Sequence, residues 1–288
     1  HINEIPNAII LQETGSVGLM VTAAFDIHKS WIAVEIKLWT AGGRSYSLDW
    51  RRLEGETDNL QSESWNAVRD IVENETWKAD DGKIYPVAFS LIDAGYRTHN
   101  VYNFVSKYPV TPPAVMGKVS AIMGRETPPK TAEMPQFSDY QSKKYGITAY
   151  NVNSTIYKDR LAVNLRRDWN TGDLQPLGYC NFPSEYGDDF FRQYEAEEKK
   201  EKKYTSNSKT RFVWSPKPNS ENHAWDCGYY NLVAVDMICY EINKYYLDTE
   251  RIDYSAFWAY IAENKLFYQD AEGENACRRE RFCSRMSL

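Results

Sequence analysis

Apolar and β-branched residues run from Met20 to Phe25. From Trp31 to Trp39 the chain then alternates, with Ile32, Val34, Ile36 and Leu38 set against Ala33, Glu35 and Lys37. A period of two marks a half-buried strand. Ala41-Gly42-Gly43 reads as a turn and Arg44 to Arg52 as a third strand, so this region predicts an antiparallel meander. Asn59 to Trp77 changes to helical spacing, with Trp65, Val68, Ile71 and Val72 on one face. After the turn Asp80-Asp81-Gly82, the continuous apolar run Pro86 to Ile92 predicts a strand buried on both faces. A helix from about His99 to Lys107, capped by Thr98, and a short strand at Ala114-Val115-Met116 follow.

Residues 109–140 are rich in Pro, Gly and polar side chains and predict a long loop or a mobile hairpin. Ile147 to Val152 alternates like a strand, Ser154 caps a helix to about Arg167, and Leu177 to Phe182 reads as a strand ended by Pro183. Asp188 to Lys203 reads as a helix whose charge run from Glu195 onward forms a solvated face. Arg211 to Trp214 is a short strand. Asn222 to Tyr245 is a long helix that buries Tyr229, Leu232, Val233, Val235, Ile238, Cys239 and Ile242, and the chain from Asp248 is helical through Phe267. A strand triplet followed by alternating helices and strands predicts an α/β protein, a mixed β-sheet flanked by helices.

Composition narrows this picture. The 288 residues, 42% of them hydrophobic, suffice for one large domain or two small ones. No run approaches the roughly 18 apolar residues of a membrane span. The opening residues His1 to Pro6 show neither a starting Met nor a signal pattern, so a soluble piece of a longer protein is expected. Five scattered cysteines without a Cys-x-x-Cys pair argue against a zinc site or a disulfide framework and fit a reducing cytosol. The net charge of -6 weighs against a wholly basic nucleic-acid binder and leaves room for a local basic groove.

Three acidic residues stand where apolar stretches stop. Asp26 closes Val21-Thr22-Ala23-Ala24-Phe25, Asp93 closes Val87-Ala88-Phe89-Ser90-Leu91-Ile92, and Asp226 opens the long helix after Asn222-His223-Ala224-Trp225. A carboxylate beside a hydrophobic core is costly unless it is paired, hydrogen-bonded or holding a metal. Taken alone, a strand-terminal Asp is more often a turn or cap residue. As a set they predict a shared site: two parallel strands ending at Asp26 and Asp93 would put both side chains at the sheet edge where α/β proteins bind ligands, with Asp226 packed over them. All-oxygen ligation favours Mg²⁺ or Mn²⁺ over Zn²⁺. Two such ions suit phosphodiester hydrolysis, one activating water and one stabilising the leaving oxygen.

The stretch Val21 to Asp26, then Leu91-Ile92-Asp93-Ala94-Gly95-Tyr96-Arg97-Thr98 with Val101-Tyr102, resembles the first two acidic motifs of the nuclease domain in tailed-phage terminase large subunits of the lambda-like type. Trp214-Ser215-Pro216-Lys217 with Asn222 to Cys227 looks like the third. Asn181-Phe182-Pro183 followed by Phe190 to Glu197 resembles the segment between. The likeness runs in consistent order over roughly residues 18–240. It implies an RNase H-like fold and a metal-dependent endonuclease that cuts concatemeric double-stranded viral DNA during genome packaging in the cytoplasm of the infected host cell. Asp26, Asp93 and Asp226 carry over as catalytic metal ligands. It also implies an N-terminal ATPase motor domain, a small terminase subunit and a portal as partners. The sequence contains no Gly-x-x-x-x-Gly-Lys-Ser/Thr loop, so the motor is expected outside it. On this basis residues 1–247 form the nuclease domain and 248–288 a C-terminal helical extension that either binds a packaging partner or completes the domain. Two departures stand out: His223 occupies a position where the family commonly has Glu, and Met116 precedes Gly117 where it often has Lys.

His28 and His223 lie close enough in sequence to Asp26 and Asp226 to orient a water, shuttle a proton or assist a metal ligand, and both also fit capping or surface roles. Arg97, Lys118, Arg125 and Lys130 are the candidate DNA contacts, with Arg97 and Lys118 expected to follow strands on the active edge. Tyr229-Tyr230, Tyr245-Tyr246 and Trp258 read as packing residues. Two alternatives remain open: another RNase H-like nuclease, such as a recombinase or junction resolvase, and a non-catalytic DNA-binding or motor-docking module.

Overall fold

In the computed structural model, residues 2–5, 17–110, 118–126, 136–170, 172–203, 210–249 and 252–269 are described. Strand β1 spans Ile2–Glu4. The predicted meander is β2 (Gly18–Ile27), β3 (Trp31–Thr40) and β4 (Arg44–Glu54), paired antiparallel. Helix α1 (Glu63–Glu73) is shorter than the helical spacing suggests, because Thr76–Lys78 forms strand β5 against β1 and the next strand. That next strand, β6 (Ile84–Asp93), runs parallel to β2 and leads to α2 (Thr98–Val105). Thr98 does not cap α2 from outside: Arg97 holds the cap position in left-handed backbone (φ 54°).

The segment predicted as loop contributes two sheet strands, β7 (Val119–Arg125) and β8 (Phe137–Ser142). The expected strand at 114–116 lies outside the described residues. Strand β9 (Ile147–Asn153) pairs parallel to β7 and antiparallel to β8. Helix α3 (Ser154–Leu165) is capped by Asn153, whose side chain accepts from the Ile156 N–H, rather than by Ser154. Only Cys180–Asn181 of the strand predicted at 177–182 pairs, as β10 beside β4.

The largest departure follows. The helix expected over 188–203 stops at Tyr194 as α4 (Asp188–Tyr194), and the charge run becomes β11 (Glu197–Lys203), hairpin-paired to β12 (Thr210–Pro216). Cross-strand pairing overrides the helical propensity of Glu and Lys here. The long helix α5 (His223–Tyr245) and α6 (Tyr254–Asn264) complete the described chain.

The main sheet has the order β10-β4-β3-β2-β6-β7-β9-β8, with β5 and β1 attached at β6, and six helices of the described residues flank it. This mixed architecture is consistent with an RNase H-like α/β fold. One face packs Val21, Ala23, Phe25 and Val87 against α1 and α2, and the other packs Met20, Ala24 and Leu91 against α3, α5 and α6. The two-residue repeat of β2 therefore feeds both layers, which is why its ten residues are all buried. Phe257, Trp258 and Ile261 of α6 join the second layer.

Polar locks fix α5 on the sheet. Asn231 accepts from Thr22 Oγ1 at 2.7 Å and donates to the Glu35 carbonyl at 3.0 Å, while Trp39 Nε1 donates to Thr22 Oγ1 at 2.7 Å. Gly228 lets α4 approach α5: a Cβ there would fall 2.8 Å from Tyr194 Oη. No helix of the described residues is long and apolar enough to cross a membrane.

Candidate metal centre

The parallel register of β2 and β6 sets Phe25 beside Ile92. Asp26 and Asp93 are the next residues, so they stand side by side at one sheet edge. Both continue the face that holds Ala24 and Leu91, the face covered by α5. Asp226 lies in the first turn of α5. The fold thus gathers the three sequence-selected carboxylates: Asp93 feels the charge of Asp26 and Asp226, and Asp226 feels that of Asp26.

Their protonation shows the cost of the arrangement. Burial pushes Asp26 up to about 7, opposed by the Lys158 ammonium and the Ile27 N–H. Burial, then repulsion from Asp26, pushes Asp93 up to about 7, against the Gly95 N–H and the Tyr230 hydroxyl. Burial raises Asp226 to about 6, opposed most by Lys158 and reinforced by Asp26 and Glu197. No ion pair reaches Asp93 among the described residues; its partners are the Gly95 N–H at 3.1 Å and Tyr230. A Cβ at Gly95 would lie 3.0 Å from Asp93 Oδ2, so glycine leaves this carboxylate its space.

Sequence reasoning missed the residues that hold Asp226. Lys158 of α3 places its Nζ 2.8 Å from Asp226 Oδ1, as an ion contact rather than an aligned hydrogen bond, and 2.7 Å from Glu197 Oε1. Asn222 Nδ2 donates to Asp226 Oδ2 at 2.9 Å and to Glu197 Oε1 at 2.7 Å, and Trp225 Nε1 donates to Glu197 Oε2 at 3.2 Å. Attraction from Asp226 and Glu197 outweighs burial and raises Lys158, which stays an ammonium. A signal for Lys158 existed: with Leu161, Ala162 and Leu165 it shares the spacing of one helical face, a lysine inside an apolar stripe. Glu197 carried none, since it sits in a run whose next six residues are exposed.

The histidines join the opposite side. His223 Nδ1 lies 2.8 Å from Asp26 Oδ2 and 2.9 Å from His28 Nε2. Burial lowers His28 to about 4, helped by His223, and lowers His223 as well. Burial thus works against a charged imidazole at the His223–Asp26 contact. The ligand atoms of Asp26, His28 and His223 all lie within 4.8 Å of one another, a grouping able to hold a metal ion.

The candidate DNA contacts scatter. Arg97 follows Asp93 as expected, half-buried, with its guanidinium 3.6 Å from Asp58 Oδ2 and over the Tyr96 ring. Lys118 does not follow a strand on the acidic edge. It precedes β7, which runs parallel to β6 and so begins at the opposite end from Asp93, and its Nζ donates to the Glu73 carbonyl. Arg125 ends β7 on the acidic side, exposed, donating to Asn151. Lys130 lies outside the described residues. Tyr229, Tyr230 and Trp258 are buried as expected. Tyr245 is exposed, and Tyr246 is half-buried against the second core layer.

No curated protein and no solved structure matches the chain. One family model does, the endonuclease domain of the terminase large subunit gpA, over residues 11–245. That match spans the meander, the acidic centre and the whole of α5, and the chain belongs to the terminase large subunit gpA endonuclease-domain family.

Proposed function

We propose that this chain is a metal-dependent endonuclease that cuts concatemeric double-stranded viral DNA during packaging, by two-metal phosphodiester hydrolysis at Asp26, Asp93 and Asp226. The observation that carries this is the juxtaposition of two strand-terminal carboxylates and a third on α5, within a family defined by its endonuclease activity. The donor set fits hard divalent cations such as Mg²⁺ or Mn²⁺: ionised carboxylates present lone pairs only, and Asp93 has no cation of its own among the described residues. Bound there, the ions would lower the cost of ionising water and offset charge on the leaving oxygen. The chain's own groups hold the carboxylates in place. Tyr230 and the Gly95 N–H fix Asp93, Lys158 and Asn222 fix Asp226, and the Thr22–Asn231 lock sets the height of α5.

The substrate duplex would meet the exposed Arg125 and the half-exposed Arg97 first, as phosphate contacts without base reading. An N-terminal ATPase motor, a small terminase subunit, a portal that takes the 248–288 extension, and the host cytoplasm as the place of action belong to the same reading.

A plasmid-nicking assay with Mg²⁺, Mn²⁺ or EDTA tests it. Cleavage should need the cation, and Asp93→Ala and Asp226→Ala should each lower it about 10³-fold or more, on the scale of losing a principal electrostatic stabiliser. Metal-dependent cleavage that survives both substitutions removes the site.

A further inference from the structure

The acidic centre is not chemically uniform. On its Asp26 side the nearest groups are nitrogen donors, and their geometry holds a contradiction. His223 Nδ1 faces Asp26 Oδ2 at 2.8 Å and His28 Nε2 at 2.9 Å. An imidazole nitrogen has one in-plane valence, either an N–H or a lone pair. If Nδ1 carries a proton, it must divide one N–H between a carboxylate oxygen and a ring nitrogen. If it carries a lone pair, His28 can donate to it, and the Asp26 oxygen then faces a lone pair unless it holds a proton itself. No neutral-imidazole arrangement with an ionised Asp26 gives both contacts a proton of their own. A cation at the centre takes all three lone pairs at once.

The spacing agrees. Adjacent ligands about an ion with bonds of about 2.1 Å stand about 3 Å apart, and the separations of 2.8 and 2.9 Å fall near that value. The surroundings are built rather than incidental. His223 is 7% exposed and Asp26 8%. His28 lies in the short turn from β2 to β3, closed by its N–H on the Trp31 carbonyl at 3.0 Å, and its ring stacks on Trp31 with centroids 4.2 Å apart and planes 6° from parallel. Arg52 covers the far face of that stack and pairs with Glu221, next to the start of α5. The turn, the indole and the helix start thus hold the His28 ring against His223 and the His223 ring against Asp26, with the three ligand atoms within 4.8 Å of one another.

We propose that Asp26, His28 and His223 ligate one metal ion as a mixed nitrogen–oxygen site, and that this site selects a borderline transition metal such as Mn²⁺, Co²⁺ or Zn²⁺ over Mg²⁺. This rests on the reading of the acidic centre as a metal site and sharpens which ion the Asp26 side takes. Imidazole suits transition metals, whereas Mg²⁺ favours an all-oxygen octahedron. The two rings would then carry their protons on the nitrogens turned away from the ion, His28 on Nδ1 and His223 on Nε2.

The test is spectroscopic. Mn²⁺ is added to this chain at one equivalent, and electron spin-echo modulation is recorded for ¹⁴N coupling to the bound ion. Coupling from directly bound imidazole nitrogen is expected in the unsubstituted protein. His28→Ala and His223→Ala should each diminish it and weaken Mn²⁺ binding by calorimetry by about 10- to 100-fold or more, at least the range seen when groups that merely support a ligand are lost. A hundredfold excess of Mg²⁺ should not displace the Mn²⁺ signal. Bound Mn²⁺ without ¹⁴N coupling in the unsubstituted protein overturns the proposal, and that result does not depend on any variant folding. Metal-dependent cleavage alongside that negative result would leave the nuclease reading standing and discard only the nitrogen ligation. Loss of the nuclease reading would show instead as cleavage insensitive to Asp93→Ala and Asp226→Ala.

Discussion

Around Asp226 the charge is balanced from within: Lys158 lies between Asp226 and Glu197, and Asn222 bonds both carboxylates. Among the described residues the groups in contact with Asp26 and Asp93 are neutral, two imidazoles, a tyrosine hydroxyl and backbone N–H groups, and the Lys158 ammonium acts on Asp26 without an ion-pair contact. The two halves meet at one sheet edge, yet among the described residues only the Asp226 half holds a cation in direct ion-pair contact. A buried carboxylate can be stabilised by a fixed ammonium or held in reserve for an exchangeable ion, and under the proposed function this site does both. The ammonium half positions Asp226 before any ligand arrives. The neutral half keeps lone pairs available and accepts raised protonation as the consequence.

The sharpest way to break this comparison is Lys158→Met. It preserves length and apolar volume while removing the ammonium, and leaves Asp226 and Glu197 buried without a cation. A loss of about 3–5 kcal/mol is expected for a buried pair stripped of one partner, read as a lower denaturation midpoint by urea titration in EDTA. If the half is balanced as described, Mn²⁺ should recover more of the midpoint in the variant than in the unsubstituted protein, because the bound ion then replaces the positive charge that Lys158 supplied. A variant as stable as the parent in EDTA would mean that Lys158 compensates nothing.

The neutral half predicts the pH dependence. Asp26 and Asp93 are raised to about 7 and Asp226 to about 6, from an ordinary 3.8. The folded state therefore holds protons that the unfolded chain has released. Between about pH 4 and 7 stability in EDTA should fall as pH rises, and the contribution is complete below pH 4. The total is a few kcal/mol shared among coupled groups, followed as the melting temperature across that range. Asp93→Asn should flatten the profile and raise the melting temperature at pH 8. Divalent metal should oppose the fall, since its binding releases the same protons. A profile that rises from pH 4 to 7 in EDTA would contradict burial as the dominant influence on these carboxyls.

The division also explains what the sequence revealed. Asp26, Asp93 and Asp226 were visible because each interrupts or borders an apolar run, and β2 and β6 run parallel, the arrangement a shared edge for Asp26 and Asp93 requires. The cation that balances Asp226 was not, because Lys158 is 68 residues from its partner and its signal is one lysine in a stripe. Glu197 hid in a charge run because its burial is decided by Trp225 and Lys158, both remote in sequence. The same run misled the element assignment: Glu and Lys favour helix locally, and only the pairing of β11 with β12 makes it a strand. Lys118 was placed on the wrong end of the sheet because β7 begins after it instead of ending before it.

The smallest expected effect comes from Tyr230→Phe. The Tyr230 hydroxyl donates to Asp93 and, with the Gly95 N–H, is what favours the charged form there. Removing it deletes one hydrogen bond to a carboxylate and leaves the ring in its packed place on α5 beside Tyr229. Such a bond contributes about 1–2 kcal/mol, which lifts Asp93 further and makes it harder to ionise. At pH 7 apparent Mn²⁺ affinity should weaken about 5- to 30-fold, and at pH 9, where Asp93 is ionised in either protein, the gap should narrow. Stability in EDTA should change little, because the lost bond is offset by a carboxyl that stays neutral over more of the pH range. Equal affinity of the two proteins at pH 7 would show that Asp93 takes no part in the metal site. A gap that persists unchanged at pH 9 would show that Tyr230 positions Asp93 rather than tuning its charge. In that case the neutral half would be organised by geometry, as the Lys158 half is.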